Sequence, residues 1–139
     1  MTPPALRGAV TLLVDGRPVR VTGGPFDALP PGARGLCLEA RSARVDEAEW
    51  RLDVPDFGVP EAAALRAVLE LMLGAMRDRP GDAFHVGCRA GLGRSGMALA
   101  CLAAMTGIAD PIAWLRGCYD PAAVETPEQE AMVGRFIRA

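Results

Sequence analysis

The sequence predicts an α/β fold with a central, mostly parallel sheet of about four to five strands flanked by helices. Three observations carry this. Short apolar runs of strand length alternate with longer helical patterns along the chain. An opening hairpin is marked by the turn dipeptide Asp15-Gly16. A buried strand, Asp82 to Gly87, leads through a glycine-rich turn into an apolar run from Gly96 to Met105.

In chain order, Gly8–Val14 and Arg17–Val21 form the two arms of the hairpin. Gly35–Glu39 and Trp50–Val54 read as further strands, separated by a charged segment, Arg41 to Glu49, that reads as helical. From Pro60 the pattern turns helical, with Leu65, Val68, Leu69, Met72, Leu73 and Met76 on one stripe, and it stops before Pro80-Gly81. These methionines are core residues rather than ligands. The run from Gly96 to Met105 is apolar nearly all round, which suits a central packed helix. Asp110-Pro111 opens a short helix carrying Trp114 into the core. Pro127 opens the last helix, with Met132, Val133, Phe136 and Ile137 inward.

Composition bounds the function. The chain has 139 residues, 50% of them hydrophobic, and no linker-like stretch divides it, so a single domain over residues 1–139 is expected. The longest uninterrupted apolar run, Met97 to Met105, is far short of the roughly 18 residues a membrane span needs. The opening Met-Thr-Pro-Pro-Ala-Leu-Arg is no secretion signal. Every cationic side chain other than His85 is arginine, which fits a GC-rich bacterial genome, and the net charge is only −2. A general nucleic-acid partner is therefore not expected, nor is a membrane partner; the chain is expected to act as a monomer. The cysteines at 37, 88, 101 and 118 lack metal-ligand spacing. A reducing, cytoplasmic location suits a reactive thiol.

The chemistry is concentrated in Cys88-Arg-Ala-Gly-Leu-Gly-Arg94-Ser95. Gly91 and Gly93 allow the backbone to turn successive N–H groups into one concavity, and the following helix adds its N-terminal partial charge. An oxyanion is the natural guest, held by the amides of Arg89, Ala90, Gly91, Leu92, Gly93 and Arg94. In such a field a cysteine thiol can fall from about 8.5 to roughly 3.5–7.5, so Cys88 is expected to act as a thiolate nucleophile. The guanidinium of Arg94 can pair bidentately with two phosphate oxygens. Ser95 either donates toward the sulfur or caps the helix.

This run resembles the signature of the cysteine-dependent protein tyrosine and dual-specificity phosphatases: a cysteine, five residues, an arginine, then serine or threonine. Val54-Pro-Asp56-Phe-Gly-Val-Pro60 looks like the general-acid loop of their compact dual-specificity branch, with Asp56 standing 32 residues before Cys88. Asp53 is a competing carboxylate, and the Pro-Asp-x-Gly context favours Asp56. Val124-Glu-Thr-Pro-Glu-Gln129-Glu resembles a third segment of that branch, in which Gln129 would orient the hydrolytic water. Thr126, Pro127 and Gln129 also spell a helix capping box, which would explain Gln129 structurally.

The resemblance implies a phosphatase-like fold and a phosphomonoester hydrolase that forms a phosphocysteine. Cys88, Arg94, Asp56, Ser95 and Gln129 would be its catalytic residues, and the substrate a phosphorylated protein or small phosphomonoester. No metal or other cofactor is needed, since loop amides and Arg94 supply the stabilisation. A protein tyrosine or dual-specificity activity is the leading expectation. Phosphoinositides and nucleotide or RNA ends are the alternative substrates, and a phosphate-binding module with weak or no catalysis is a second reading. Rhodanese-like sulfur transfer would place cysteine and arginine closer together. Redox control by Cys37 or Cys101 would need one of those sulfurs beside Cys88.

Two departures stand out. Members of this family commonly place a histidine directly before the nucleophile, where this chain has Gly87. The one histidine, His85, reads as structural, on the same strand face as Gly87. Relatives often carry a second arginine followed by Pro-Gly where this chain has Tyr119-Asp120-Pro121. The first 50 residues carry no motif, and no aromatic-bearing loop in residues 22 to 50 builds a deep phosphotyrosine pocket, so a shallow site is expected.

Overall fold

The computed structural model describes residues 4–139. The reading of the opening seven residues falls partly on residues 1–3, which lie outside the described residues. Among the described residues no helix is long and apolar enough to cross a membrane.

Five strands and four helices follow the predicted alternation. Strands β1 (Gly8–Val14) and β2 (Arg17–Pro25) form the antiparallel hairpin, closed by Asp15 and Gly16 with φ of 50° and 79°. β3 (Arg34–Cys37), β4 (Trp50–Arg51) and β5 (Phe84–Cys88) complete a sheet of order β1-β2-β5-β3-β4, parallel from β2 through to β4. The helices are α1 (Ala62–Asp78), α2 (Arg94–Met105), α3 (Pro111–Cys118) and α4 (Pro127–Arg138). β5 lies at the centre, so the loop after Cys88 opens at the carboxyl ends of the parallel strands, where ligands of such sheets bind.

Alternation along β5 splits the molecule in two. Phe84, Val86 and Cys88 face the main core, which includes the predicted α1 stripe, nearly all of α2, and Met132, Val133 and Phe136 of α4. All four helices pack on that face. His85 and Gly87 face the opposite side, covered by a short 3₁₀ turn, Phe26–Ala28, and by a small cluster of Phe26, Leu29 and Cys37.

The connection from β2 to β3 crosses this second face without a helix, and glycines make room for it. A Cβ on Gly87 would stand 2.5 Å from the Phe26 Cα, and one on Gly35 would stand 2.8 Å from the Phe26 ring. The backbone of Phe26 thus fills the space a side chain before Cys88 would need.

Several details differ from expectation. Residues 41–49 form only a 3₁₀ turn, Val45–Glu47, because Arg44 spends its guanidinium on the carbonyls of Asp27 and Leu29 and on Glu47, pinning the segment to the crossover. β4 keeps only two paired residues. Ile137 is 46% exposed rather than inward, since Met132, Val133 and Phe136 already fill the buried face of α4. Trp114 is half-buried at the core edge.

His85 is structural. Its Nδ1 lies 2.8 Å from the Thr22 hydroxyl and its Nε2 lies 3.1 Å from the Pro25 carbonyl, an arrangement that suits a neutral ring donating from Nε2. Burial pushes its pKa down to about 4, although the Pro25 carbonyl opposes the shift.

Two predictions follow from this packing. The unfolded chain protonates His85 near pH 6.5 and the folded chain only near 4, so stability should fall as pH drops through that window, by up to about 3 kcal/mol. Chemical denaturation of wild type and His85→Gln at pH 7, 5.5 and 4.5 should show a shallower decline in the variant, and equal slopes would refute the assignment. Gly87→Ala should cost about 1–3 kcal/mol through overpacking against the Phe26 backbone, and a urea midpoint unchanged from wild type would contradict the contact.

Candidate active site

Cys88 is the last residue of β5 and is buried, with its sulfur accepting the Gly91 N–H at 3.1 Å. Gly91 has a φ of 85°, and a Cβ there would stand 2.3 Å from the Gly24 Cα, so the position demands glycine on both counts. The amides of Arg89, Ala90, Leu92, Gly93 and Arg94 make no hydrogen bond to any described residue. The helix begins at Arg94 with no side-chain cap. The loop thus carries a row of free donors beside a thiol, backed by the positive end of α2.

Arg94 points back into the fold and its side chain is 1% exposed. Its Nη1 donates to Glu39 Oε2 at 2.8 Å, to the Val54 carbonyl at 2.8 Å and to the Leu38 carbonyl at 3.3 Å. Its Nη2 is buried without a hydrogen-bond acceptor, although Asp56 Oδ1 lies 3.3 Å away as an ion pair. The separation is short, but the angle is not that of a hydrogen bond. One edge of the guanidinium is therefore fully engaged by the protein, while the other keeps unspent donor capacity. The Arg94 guanidinium and, secondarily, Arg41 hold the Glu39 carboxyl below the usual carboxylate range, against the opposing effect of burial.

Asp56 sits in a tight turn closed by the Gly58 N–H to the Pro55 carbonyl at 2.8 Å, with Phe57 at φ 60°. Its Oδ1 also accepts the Phe57 N–H at 3.1 Å. Asp53 is exposed and pairs with no arginine; it lines a neighbouring depression of about 310 Å³ shared with Asp56, Glu39 and Arg41. The structure therefore brings Asp56, and not Asp53, to Arg94.

A cavity of about 310 Å³ opens over Cys88, lined by Asp27, Glu39, Arg41, Ser42 and Arg89, with no aromatic wall. The Ser42 hydroxyl donates to Asp27, and Arg41 donates to Glu39 Oε1 at 3.0 Å, so Glu39 links the buried Arg94 to the exposed Arg41.

Ser95 makes neither contact expected of it, while Gln129 takes the structural role that its capping box offered. Ser95 is the second residue of α2; its hydroxyl is buried and neither caps the helix nor hydrogen-bonds the sulfur. Gln129 is fully buried and completes the capping box. Its Oε1 accepts the N–H groups of Glu125 and Thr126, its own N–H donates to Thr126 Oγ1, and its Nε2 donates to the Gly58 carbonyl at 3.2 Å. It ties α4 to the Asp56 turn and lies against Gly93, where a Cβ would meet its amide at 2.9 Å.

Redox partnership within the chain is not supported. Cys37 pairs with Gly87 and faces the other side of the sheet from Cys88. Cys101 lies seven residues along α2 from Arg94, roughly 10 Å up the helix, and burial pushes its thiol up to about 12.

Sequence reasoning missed Glu39 and Tyr119. Tyr119 is buried at the C-terminal end of α3, and its hydroxyl donates to the Gly91 carbonyl at 2.6 Å. A buried arginine demands a carboxylate, and Glu39 at the end of a predicted strand was a visible candidate; no local signal pointed to Tyr119.

No family model matches the chain. An uncharacterised protein of Methanocaldococcus jannaschii is 32% identical over 85 residues, covering 61% of this chain and 56% of that protein. The chain spans about half the length of the curated relatives it matches. Among solved structures, Tk-PTP in its active form superposes with a TM-score of 0.68 at 24% identity, covering 92% of this chain and 96% of that one. The kinase-associated phosphatase, solved with its catalytic-site cysteine replaced by serine, gives 0.73 at 16% identity, covering 100% and 98%. The chain thus has the fold of the tyrosine and dual-specificity phosphatases, with Cys88 at the end of its central strand.

Proposed function

We propose that the protein is a phosphomonoester hydrolase working through a phosphocysteine, with protein tyrosine or dual-specificity phosphatase activity as its reaction. The observation that carries this reading is the run of unpaired loop amides following Cys88 together with the Arg94 Nη2, buried without an acceptor. A tetrahedral oxyanion satisfies all of these donors at once. The kinase-associated phosphatase, which has the same fold, has a catalytic-site cysteine.

In the proposed scheme the Cys88 sulfur attacks phosphorus, forming the S–P bond as the P–O bond to the leaving group breaks. Asp56 gives its proton to the departing oxygen. Asp56 then takes a proton from water, whose oxygen attacks phosphorus; the S–P bond breaks, the thiolate is restored and inorganic phosphate leaves. The unpartnered Ser95 hydroxyl is the donor we assign to the departing sulfur. Gln129 enters mainly through Gly58, by holding the Asp56 turn, and its second Nε2 hydrogen is what it has left for the water. The absence of an aromatic wall around the cavity favours a shallow site that accepts phosphotyrosine together with phosphoserine or phosphothreonine.

Hydrolysis of para-nitrophenyl phosphate across pH is the direct test. Wild type should turn over with EDTA present, and Cys88→Ser should be inactive. Asp56→Asn should lose about 10²–10⁴-fold in kcat together with the alkaline decline of the profile. Strict dependence on a divalent ion would overturn the metal-free scheme, and reduced wild type that binds phosphate but does not turn over would make the protein a phosphate-binding module. Matched phosphopeptides test the substrate class: turnover of none, beside active para-nitrophenyl phosphate hydrolysis, would move the assignment to non-protein phosphomonoesters.

A further inference from the structure

Tyr119, the one tyrosine of the chain, occupies a slot that the sequence keeps open for it. A Cβ on Gly23 would stand 2.4 Å from its hydroxyl, and one on Gly8 would stand 2.9 Å from its ring. Both glycines lie on the hairpin, on adjacent strands in register with each other. Tyr119 is 9% exposed, and its hydroxyl donates to the Gly91 carbonyl at 2.6 Å from behind the loop.

That bond fixes more than one atom. In a planar trans peptide the carbonyl and the following N–H point in opposite directions. Holding the Gly91 carbonyl back toward Tyr119 turns the Leu92 N–H the opposite way. Leu92 N–H has no partner among the described residues, while its carbonyl is held by the N–H groups of Gly96 and Val124. Gly91, at φ 85°, has no side chain to restrict rotation of the peptide that follows it. A rotated peptide would aim a carbonyl dipole at the bound anion in place of an amide.

We propose that Tyr119 is a positioning residue that locks the Gly91–Leu92 peptide in its anion-receptive orientation, so that Leu92 N–H is one of the donors to the substrate phosphoryl group. The inference rests on the proposed reading of the loop as an oxyanion cradle. Burial, and then the charge of Cys88, push the Tyr119 phenol up from its usual range, so it keeps the proton it donates. The contact is neutral and acts on the carbonyl side, so Tyr119 orients the loop without touching the substrate.

Tyr119→Phe keeps the ring in its slot and removes the donor. Gly23→Ala pushes the hydroxyl from its place and serves as an independent second perturbation. The measurements are the orthovanadate inhibition constant, kcat and KM for para-nitrophenyl phosphate, the rate of Cys88 alkylation by neutral iodoacetamide against pH, and the thermal midpoint. Both variants should weaken orthovanadate about tenfold, as expected for loss of one well-placed hydrogen bond, and raise KM in step. The alkylation profile should stay that of wild type, because the Gly91 N–H to the sulfur belongs to the preceding peptide. Wild-type vanadate affinity in both variants would overturn the proposal. A loss of affinity accompanied by an equally altered alkylation profile and a collapsed thermal midpoint would also overturn it, since the residue would then merely support the fold. Wild type that neither binds vanadate nor hydrolyses the ester would defeat the phosphatase reading and this inference with it. An active wild type matched by both variants would defeat this inference alone.

Discussion

The buried guanidinium of Arg94 is the joint on which the site depends. A charge at 1% exposure is tolerated only when its partners are supplied by the surrounding fold. Two segments supply them: the chain leaving β3 gives the Leu38 carbonyl and the Glu39 carboxylate, and the stretch after β4 gives the Val54 carbonyl and Asp56. One side chain thereby brings the cysteine loop, the carboxylate turn and the mouth of the cavity into a single arrangement. The engagement is uneven, with Nη1 saturated and Nη2 not, and that asymmetry aims the remaining donors.

The two departures from the phosphatase signature have physical causes in the packing. Gly87 precedes the cysteine without a side chain because the β2–β3 crossover lays the Phe26 backbone directly on that position. His85, one strand step back on the same face, spends both ring nitrogens on Thr22 and Pro25 and cannot act at the cysteine. Tyr119 stands near the place of a second arginine and reaches the loop from its carbonyl side. The loop is thus held by neutral contacts to its backbone, with Gly24 pressed against Gly91 on one side and the Tyr119 phenol on another.

Local chemistry made part of this legible in the sequence. The Asp15-Gly16 turn, the apolar stripe of α1 and the strand-to-helix turn after Cys88 each carry their information within a few residues, and each of these elements forms where it was read. What escaped were contacts set by strand order. Glu39 meets Arg94 across 55 residues of sequence because β3 lies beside β5, a neighbourhood that strand order sets and local sequence does not. The charged segment 41–49 has helical composition, but Arg44 is committed to carbonyls of the crossover, a tertiary demand that overrides propensity. Gln129 illustrates the opposite case: its capping box was legible as an alternative, and the structure realises it in full.

Charge balance around the mouth bears on the substrate. Arg41 and Arg89 line the cavity beside Asp27 and Glu39, and the buried Arg94 behind it is met by Glu39 and Asp56. The Glu39 carboxylate alone is shared between Arg41 and Arg94, which leaves Arg89 as the cation of the rim with no ion-pair partner among the described residues. A site meant for several phosphate groups gains most from an excess of arginine or lysine fields over carboxylates, since each further anion must otherwise be brought against like charge. Here the donors that are free are the loop amides after Cys88 and one nitrogen of a single guanidinium. Under the proposed reading, that set of donors suits one tetrahedral group and leaves the rest of a substrate to a shallow, nearly neutral rim.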